Sequence, residues 1–440
     1  MNNKERMELA QWASNFAIKK GASQAAVSIS RSRSVNVEVR EQKLETIRES
    51  TENSLSLQIY RDNKYSGHST NNLNKRQLET FIAEAVEATQ YLSPDEARVL
   101  PDASLYPEDT STDLGLVDPG HERVTPEYRV ETAMETEQLL RESKGVEILS
   151  ASAGFSDTAS EGVRVHTNGF AGEWLGTSFR TNASLSVLDN GARPSGSFYA
   201  GQRFLQDLPN PSHVARHVLG NTLKQIGQQK IASGKYTMIL DNNIAGNLLW
   251  RLFQPMTARS IQQKNSFLDG MLGKAIGSEH LTIIDDPLIK GGLSSRHFDN
   301  EGIASRRRVM IENGVLNQYY IDNYYGRKLG LTPNGGSTSN IIMGYGNRTQ
   351  NQILESQQKA IFVTAFNGGN ANSTTGDFSF GISGQLIENG KVVKALNEMN
   401  ITGNFKNLWN QLTETGNDPY PYSSLQSPTL VFNGVDFSGI

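Results

Sequence analysis

The sequence predicts an α+β protein, with an N-terminal helix/antiparallel-sheet region followed by a β-rich C-terminal domain. Residues 25–70 alternate apolar and polar side chains, which is typical of strands with one face in water. The segments on either side of this stretch carry apolar side chains at helical spacing. In the C-terminal half, Asn-Gly pairs stand at 313–314, 389–390 and 433–434, and each such pair favours a tight hairpin turn.

The first region, residues 1–92, is predicted to be an α+β unit with helices against one face of an antiparallel sheet. Residues 4–20 form an amphipathic helix, and Gly21 stands where a left-handed cap is expected. Asn74 and Gln77 have the spacing of a capping box and therefore indicate the start of a second helix.

Residues 93–124 break this periodicity. Four prolines stand there among Asp, Ser, Thr and Gly, which predicts a linker or a long functional loop. Residues 125–230 resume as a central α+β region, with a helix to about Ser143, strands over 146–200 and a helix over 212–228. The predicted inward side chains of that last helix are Ala215, Leu219, Leu223 and Ile226.

The last region, residues 235–440, is predicted to be rich in strands. A strand over 236–240 leads into a buried, mostly apolar helix over 243–253. Farther along, Asn313-Gly314 lies between two apolar runs and predicts a hairpin, and Gly330 ends the short helix that follows. The three Asn-Gly turns together indicate a meandering antiparallel sheet.

Composition and charge exclude several classes of protein. The chain carries 42 Lys and Arg against 46 Asp and Glu, a formal net charge of −4, which gives no basic field for direct nucleic-acid binding. It contains no cysteine, and therefore no thiolate nucleophile and no sulfur ligand for zinc. No apolar run reaches the roughly 18 residues of a membrane span, and the charged N-terminus lacks a signal-peptide pattern. These features predict a soluble cytoplasmic protein.

A polar cluster ahead of the first Asn-Gly hairpin holds candidate chemical groups. His297, Asp299 and Glu301 alternate along the chain, so in an extended segment they share a face and are able to bind a metal or exchange protons. The alternative is a polar turn whose carboxylates accept backbone N–H groups or pair with the arginines at 306–308.

Other metal- and phosphate-binding patterns are incomplete. His213 and His217 lie four residues apart, as two ligands on one helical face do, but the alternative is a solvated face or a subunit contact. The run Arg306–Arg308 continues into a strand, so its side chains point to both faces and do not form one phosphate site. The glycine-rich segments 335–337 and 368–370 lack the Lys-Ser/Thr ending of a phosphate-binding loop.

The chain resembles the TldD/PmbA family of peptidases over most of its length. The resemblance implies an N-terminal α+β region, a β-rich C-terminal domain, and subunits that pair around an enclosed cavity admitting flexible peptides. The segments that carry it are Phe298-Asp299-Asn300-Glu301-Gly302, Ile311-Glu312-Asn313-Gly314-Val315-Leu316, Arg327-Lys328-Leu329-Gly330-Leu331-Thr332, Thr375-Gly376-Asp377-Phe378-Ser379, Leu386-Ile387-Glu388-Asn389-Gly390-Lys391 and Gly403-Asn404-Phe405.

The zinc motif of the TldD branch is degenerate in this chain. In that branch, a helix carries His-Glu-x-x-x-His after two leucines, and a distant cysteine completes the metal site. Here the leucines at 248–249 are followed by Trp250 and Pro255 in the histidine positions and Arg251 in that of the glutamate. None of these side chains coordinates zinc or accepts a proton from water. Together with the two leucines and Phe253, Trp250 is expected to pack in the core.

The resemblance therefore places the chain with the PmbA branch, also called TldE. It implies a noncatalytic, zinc-free subunit of a TldD/TldE-type complex acting in proteolysis of flexible peptides, with no cofactor of its own and with zinc in a TldD-type partner. A homodimer is the other assembly, and whether the chain is itself an enzyme stays open. The alternatives are a self-sufficient hydrolase that uses another site, or a nonenzymatic peptide- or protein-binding regulator, matching the family's older label as a modulator of DNA gyrase.

Overall fold

A six-stranded antiparallel sheet organises the N-terminal half of the computed structural model, which describes residues 1–440. The predicted regions 1–92 and 125–230 share this sheet, because their strands pair along a continuous register from Ala26–His166 to Arg40–Ser152. The strands are β1 (Gln24–Arg40), β2 (Lys43–Arg61), β3 (Lys64–Thr70), β4 (Glu147–His166), β5 (Ala171–Leu188) and β6 (Ser195–Gln202), in the order β3-β2-β1-β4-β5-β6.

Four helices cover one face of this sheet in two pairs. The first pair is α1 (Asn3–Lys19) and α2 (Lys75–Thr89), which pack on Val27, Ile29 and Leu57. The second pair is α3 (Pro126–Arg141) and α4 (Pro211–Leu223), which pack on Ala151, Leu185 and Val187. All four helices begin at a polar cap, including the predicted one, since the Asn74 side chain accepts the backbone N–H of Gln77.

The predicted inward face of α4 is confirmed at Ala215, which is buried, and at Leu219, which is partly buried against the same core, but it is wrong at Leu223 and Ile226. The buried side chains are Val214, Ala215, Val218 and Thr222, whereas Leu223 is 46% exposed and Ile226 lies beyond the end of the helix and is 37% exposed. The prediction placed the larger aliphatic side chains of the helix inward. Because α4 lies close to β6, smaller side chains fill the space between them. A Cβ at Gly196 of β6 would collide with the backbone of Thr222.

Residues 93–124 form an ordered strap between the two halves of the molecule. Apart from two short 3-10 turns, Ala103–Leu105 and His121–Arg123, the strap is irregular, as predicted. On one side, the Gln24 side chain accepts the backbone N–H of Leu100. On the other side, the carbonyls of Leu105 and Leu114 accept backbone N–H groups of the C-terminal half.

The C-terminal half contains two sheets and five helices. Its strands are β7 (Gly234–Leu240), β8 (Ile283–Asp285), β9 (Arg308–Glu312), β10 (Val315–Leu316), β11 (Ile341–Met343), β12 (Lys359–Ala371), β13 (Asp377–Glu388), β14 (Lys391–Asn404), β15 (Leu412–Thr415), β16 (Leu425–Gln426) and β17 (Leu430–Ser438). Its helices are α5 (Asn242–Phe253), α6 (Ala258–Gln262), α7 (Asn323–Leu329), α8 (Gln350–Glu355) and α9 (Phe405–Leu408).

The larger C-terminal sheet closes on itself. Its order is β14-β13-β12-β7-β17-β15, and β14 also pairs with β17, so five strands form a ring. The smaller sheet has the order β10-β9-β8-β11-β16. Apolar side chains of both sheets and of α5 form one hydrophobic core of 40 buried residues.

Two of the three Asn-Gly hairpins are confirmed, and the third is wrong. Asn313 and Asn389 have positive φ in the turns that join β9 to β10 and β13 to β14. Asn433-Gly434 lies inside β17, where the register with β7 shifts between Phe432 and Val435, so the pair forms a bulge. The antiparallel meander is confirmed for β12-β13-β14, but β7 joins β12 in parallel.

Candidate functional site

Helix α5 presents one apolar face to the core and one mixed face to solvent. The Asp241 side chain caps the helix by accepting the N–H of Asn243 at 3.1 Å. The buried side chains are Ala245, Leu248, Leu249, Leu252 and Phe253. The exposed residues at 247, 250, 251 and 254 follow helical spacing on the opposite face.

The expectation that Trp250 packs in the core is therefore wrong. Leu248, Leu249 and Phe253 are buried as predicted, but Trp250 is 56% exposed and makes an edge contact with Phe253, with ring centroids 5.6 Å apart. The helical phase explains the difference, because Leu249 and Trp250 are about 100° apart around the axis. Of the other two degenerate positions, Arg251 is exposed and Pro255 is buried.

Two cavities flank Trp250. The first has a volume of about 290 Å³ and lies between the outward face of α5 and the exposed end of β12, with Phe366 and Phe380 in its wall. The second has a volume of about 660 Å³ and extends toward α6 and the loop at 336–338. Because Trp250 lines both, we call the two together the Trp250 cleft.

The edge of β12 beside the Trp250 cleft has no strand partner. Strand β7 pairs with β12 only from Ala360 to Val363, whereas β13 follows the other edge as far as Ala371. Residues 367–370 of the free segment are exposed. Gly369 has φ +126°, and a Cβ there would collide with the backbone of β13, so only glycine fits this bulged turn of the strand.

The Trp250 cleft and the buried Pro255 next to it do not fit a zinc ion. Indole, guanidinium and proline side chains supply no lone pair suited to zinc, and these are what the chain places at 250, 251 and 255. Nowhere in residues 1–440 do three His, Cys, Asp or Glu side chains come together in a way that could hold a metal.

Asp299 and Glu301 accept backbone hydrogen bonds at a turn. The Asp299 carboxylate accepts the N–H groups of Glu301 and Ile303 at 2.8 and 3.0 Å, and the Glu301 carboxylate accepts the N–H of Asn323 at the start of α7 at 2.8 Å. His297 lines a separate cavity of about 350 Å³ with strap residues. The structure thus gives the two carboxylates the turn geometry of the structural alternative, and a shared proton-exchange site for the three residues stays a prediction.

This turn packs against the N-terminal sheet, where Phe298 contacts Phe170 with ring centroids 5.0 Å apart and lies against Gly172 of β5. We call the turn residues Asp299 and Glu301, together with Asn323, the Glu301 junction. Burial raises the pKa of Glu301 to about 7, and the neighbouring Asp299 adds to the rise while Arg164 opposes it. Burial also raises the pKa of Asp299. Both shifts follow from removing carboxylates from water with only partial compensation.

The paired histidines on α4 form an aromatic contact. Their rings stack with centroids 4.1 Å apart, and His217 Nδ1 lies 2.8 Å from the carbonyl of His213. His217 is exposed, whereas His213 is half-buried against Phe198 and Tyr422. The solvated-face interpretation therefore describes His217, and packing describes His213.

The three consecutive arginines have different surroundings, as the strand pattern predicts. Arg308 is buried and forms an ion pair with Asp285 at 2.9 Å. Arg307 is exposed and lies 3.7 Å from Asp286. Arg306 is exposed and lines the same cavity as His297. All three line one cavity of about 460 Å³, but the Arg308 guanidinium is already paired with Asp285 and with the carbonyls of Asn334 and Gly335.

Sequence reasoning missed several residues that line the Trp250 cleft. Arg259 on α6 and the hydroxyls of Ser373 and Thr374 contribute to its second cavity. Gly368 and Gly369, excluded as a phosphate loop, form the wall of the first. No local signal indicates these residues, but the i, i+3, i+4, i+7 spacing of polar residues and Trp250 along α5 predicts an outward stripe on that helix.

Two family models match the chain and define its class. The model described as the PmbA/TldA metallopeptidase C-terminal domain matches residues 233–439, and the one described as PmbA/TldA metallopeptidase domain 1 matches residues 25–89. The fold that carries the Trp250 cleft is thus that of a metallopeptidase family.

Individual relatives agree. A crystal structure from Bacteroides thetaiotaomicron, of a protein described as a candidate modulator of DNA gyrase, is 40% identical, with a TM-score of 0.96 and complete coverage of both chains. Metalloprotease PmbA of Escherichia coli O157:H7 is 27% identical over 94% of this chain and 92% of its own length. TldE from Thermococcus kodakarensis shares the fold, with a TM-score of 0.87 at 19% identity over 98% of this chain and all of that one. The chain belongs to the PmbA/TldD family of metallopeptidases.

The resemblance read from the short motifs is confirmed by these matches, as is the α+β fold class. The structure also contains no helix whose length and apolar character would suffice to cross a bilayer.

Proposed function

We propose that this chain is the zinc-free, noncatalytic subunit of a TldD/TldE-type metallopeptidase complex that degrades flexible peptides. A TldD-type partner supplies the zinc and the general base. One observation carries the proposal: the face of α5 that would hold the metal ligands opens into a cleft, but it presents Trp250 and Arg251. The architecture of a site is retained without groups able to activate water.

The free edge of β12 supports a role in holding peptide. An extended chain that adds to an exposed strand edge is bound through its backbone N–H and C=O groups, which every peptide carries. Residues 364–371 provide such an edge next to Trp250, whose exposed indole offers an apolar contact for one side chain of the guest. A subunit built in this way binds unfolded segments and excludes folded domains, whose backbone groups are already paired.

The test compares the chain alone, a TldD-type subunit alone and the two together. Bound zinc is measured by plasma mass spectrometry, assembly by size-exclusion chromatography with light scattering, and cleavage with flexible fluorogenic peptides. We expect no stoichiometric zinc and no cleavage from this chain alone, a heteromeric complex in the mixture, and faster cleavage by that complex than by the partner alone. Stoichiometric zinc together with solitary cleavage would refute the proposal, and so would failure to associate.

Backbone pairing is tested separately with N-methylated peptides. Only alternate N–H groups of an extended guest face the strand edge. Two peptides of one sequence, N-methylated at odd or at even positions, should therefore differ in affinity by about tenfold, consistent with the loss of one or two hydrogen bonds. Equal affinities would exclude pairing with β12.

One observation favours a second function, a hydrolase acting through the Glu301 junction. A carboxyl group with a pKa of about 7 is suited to accept and return protons near neutral pH. If this function is correct, substituting Asp299 and Glu301 by alanine abolishes turnover by the isolated chain and leaves its melting temperature nearly unchanged. Loss of the fold in these variants would instead assign both residues to structure.

A further inference from the structure

We propose that the Trp250 cleft prefers acidic segments of extended peptide, and that Arg251 and Arg259 recognise their carboxylates. The inference rests on the proposed function, since it requires that the cleft holds peptide at all. It adds a preferred class of peptide, which membership of the family does not specify.

The charge of the cleft is of one sign. Arg251 lines the first cavity and Arg259 the second, and no Asp, Glu or Lys lines either. The chain as a whole carries more acidic than basic residues, 46 against 42, so its composition does not account for a cleft without carboxylates. Both guanidinium groups are exposed, and neither forms a hydrogen bond or ion pair within the chain.

The two arginines line different cavities, and Trp250 lines both. The Arg251 guanidinium lies 5.8 Å from the ring centroid of Phe380, a cation–π contact that orients the group while leaving its N–H donors free. Arg259 lies on α6, whose Thr257 cap also lines the second cavity. A guest on the free edge of β12 thus has a cation available in each cavity.

The rest of the second cavity is suited to a carboxylate. Its wall is made mainly of neutral polar side chains that donate hydrogen bonds without contributing negative charge. They include Ser337, Thr338, Ser373 and Thr374 from two loops. A peptide is favoured over a single-stranded nucleic acid, because the unpaired β12 edge offers backbone donors and acceptors that match another peptide backbone.

Arg306 lies at the surface outside the Trp250 cleft. It lines one cavity with Glu108 and Asp109 of the strap, and a second cavity with Arg307 and Arg308 that has no acidic residue. Arg306 is exposed like Arg251 and Arg259, which makes Arg306→Gln the matched control for charge removal outside the cleft.

The experiment measures binding of labelled octapeptides to the full chain by fluorescence anisotropy. Three peptides of one alanine- and threonine-based sequence carry Glu, Gln or Lys at two central positions, with both termini blocked. We expect the Glu peptide to bind about tenfold more tightly than the Gln peptide, as for a charged hydrogen bond in a partly exposed site, and the Lys peptide to bind most weakly. Added salt reduces the difference.

The arginine variants test whether Arg251 and Arg259 cause the preference for the Glu peptide. The double variant Arg251→Gln/Arg259→Gln should bind the Glu and Gln peptides equally, whereas Arg306→Gln should keep the preference. Gln peptides with a free C-terminal carboxylate separate the two sources of the charge: tighter binding than the blocked form shows that a chain end is also recognised. Melting temperatures confirm that every variant is folded.

The outcomes separate this inference from the proposed function. Equal binding of Glu and Gln peptides to the wild-type chain overturns the charge preference and leaves the peptide-holding function standing. A preference that survives the double variant, or an oligothymidylate that displaces the Glu peptide and binds more tightly, also overturns it. If no peptide binds, either to the chain alone or to its complex with a TldD-type subunit, both proposals fail.

Discussion

The Trp250 cleft and the Glu301 junction use charged side chains in opposite ways. At the junction, buried carboxylates accept backbone N–H groups from a turn and from the start of α7. At the cleft, two exposed guanidinium groups form no hydrogen bond or ion pair within the chain and line open cavities. The denser polar cluster in the sequence therefore maintains structure, whereas the sparser one leaves groups free to bind. Unpaired donors beside a cavity are the better indicator of function.

The largest expected effect contrasts the two faces of α5. Leu249→Ala removes a fully buried side chain from the main core and should lower the free energy of unfolding by about 3 kcal/mol. Trp250→Ala should change it by less than about 0.5 kcal/mol, because the indole is mostly exposed, while weakening peptide binding about tenfold. Urea denaturation and anisotropy measure the two quantities. Comparable destabilisation by both variants would show that Trp250 is part of the core.

The next effect concerns the turn at the junction. Asp299→Ala leaves two backbone N–H groups without their acceptor and should lower the free energy of unfolding by about 2 kcal/mol. Asp299→Asn keeps an acceptor oxygen and should cost about half as much. Chemical denaturation measures both variants. Peptide affinity of the folded protein should stay at the wild-type value, and a selective loss of affinity would transfer Asp299 to the binding machinery.

A smaller effect is the pH dependence of stability. The pKa of Glu301 rises from 4.5 to about 7 on folding, so between these values the folded protein holds a proton that the unfolded chain releases. The contribution of Glu301 to the free energy of unfolding therefore falls as pH rises through this window. Glu301→Gln keeps an acceptor but does not ionise, so it should be more stable than the wild type at pH 8 and converge with it near pH 5.

Thermal denaturation across that pH range measures the difference, with Glu312→Gln as a control at an exposed hairpin turn. If the melting temperature of Glu301→Gln changes with pH in parallel with that of the wild type, the pH dependence does not arise from the Glu301 carboxyl.

The smallest expected effect is on stability when a cleft arginine is removed. Arg251→Gln should change the free energy of unfolding by less than about 0.5 kcal/mol, because the guanidinium is exposed and unpaired. Its only partner in the chain is the ring of Phe380. Destabilisation by more than about 1 kcal/mol would give Arg251 a structural role and weaken the contrast with the junction.

Features with a local cause were predictable from the sequence. Asn74 caps a helix, Gly330 ends α7 with φ +68°, and Asn313 and Asn389 turn hairpins, because each depends on a few neighbouring residues. Asn433-Gly434 has the same local chemistry but forms a bulge, since strands distant in sequence pair with β17 on both sides of it. Pairings such as β1 with β4 have no local signature.

The candidate site was predictable in position but not in form. The degenerate motif located Trp250, Arg251 and Pro255 through the family resemblance. The exposure of Trp250 follows from the phase of the α5 helix, which the comparison with neighbouring leucines overlooked. Arg259 and residues 368–374 reach the cleft only through tertiary packing, so no spacing along the chain could indicate them.

The length of the unpaired β12 segment also limits how many residues of a peptide are able to pair with it. The residues from Thr364 to Ala371 lie beyond the last β7 partner, but register shifts after Val363 and after Phe366 and the positive φ of Gly368 and Gly369 interrupt the extended backbone, so a guest pairs with fewer than these eight residues. The additional residues of a longer polypeptide remain outside the paired segment. A much shorter peptide forms fewer backbone hydrogen bonds with β12. Substrate size, as well as composition, would then govern how long each molecule resides on this subunit.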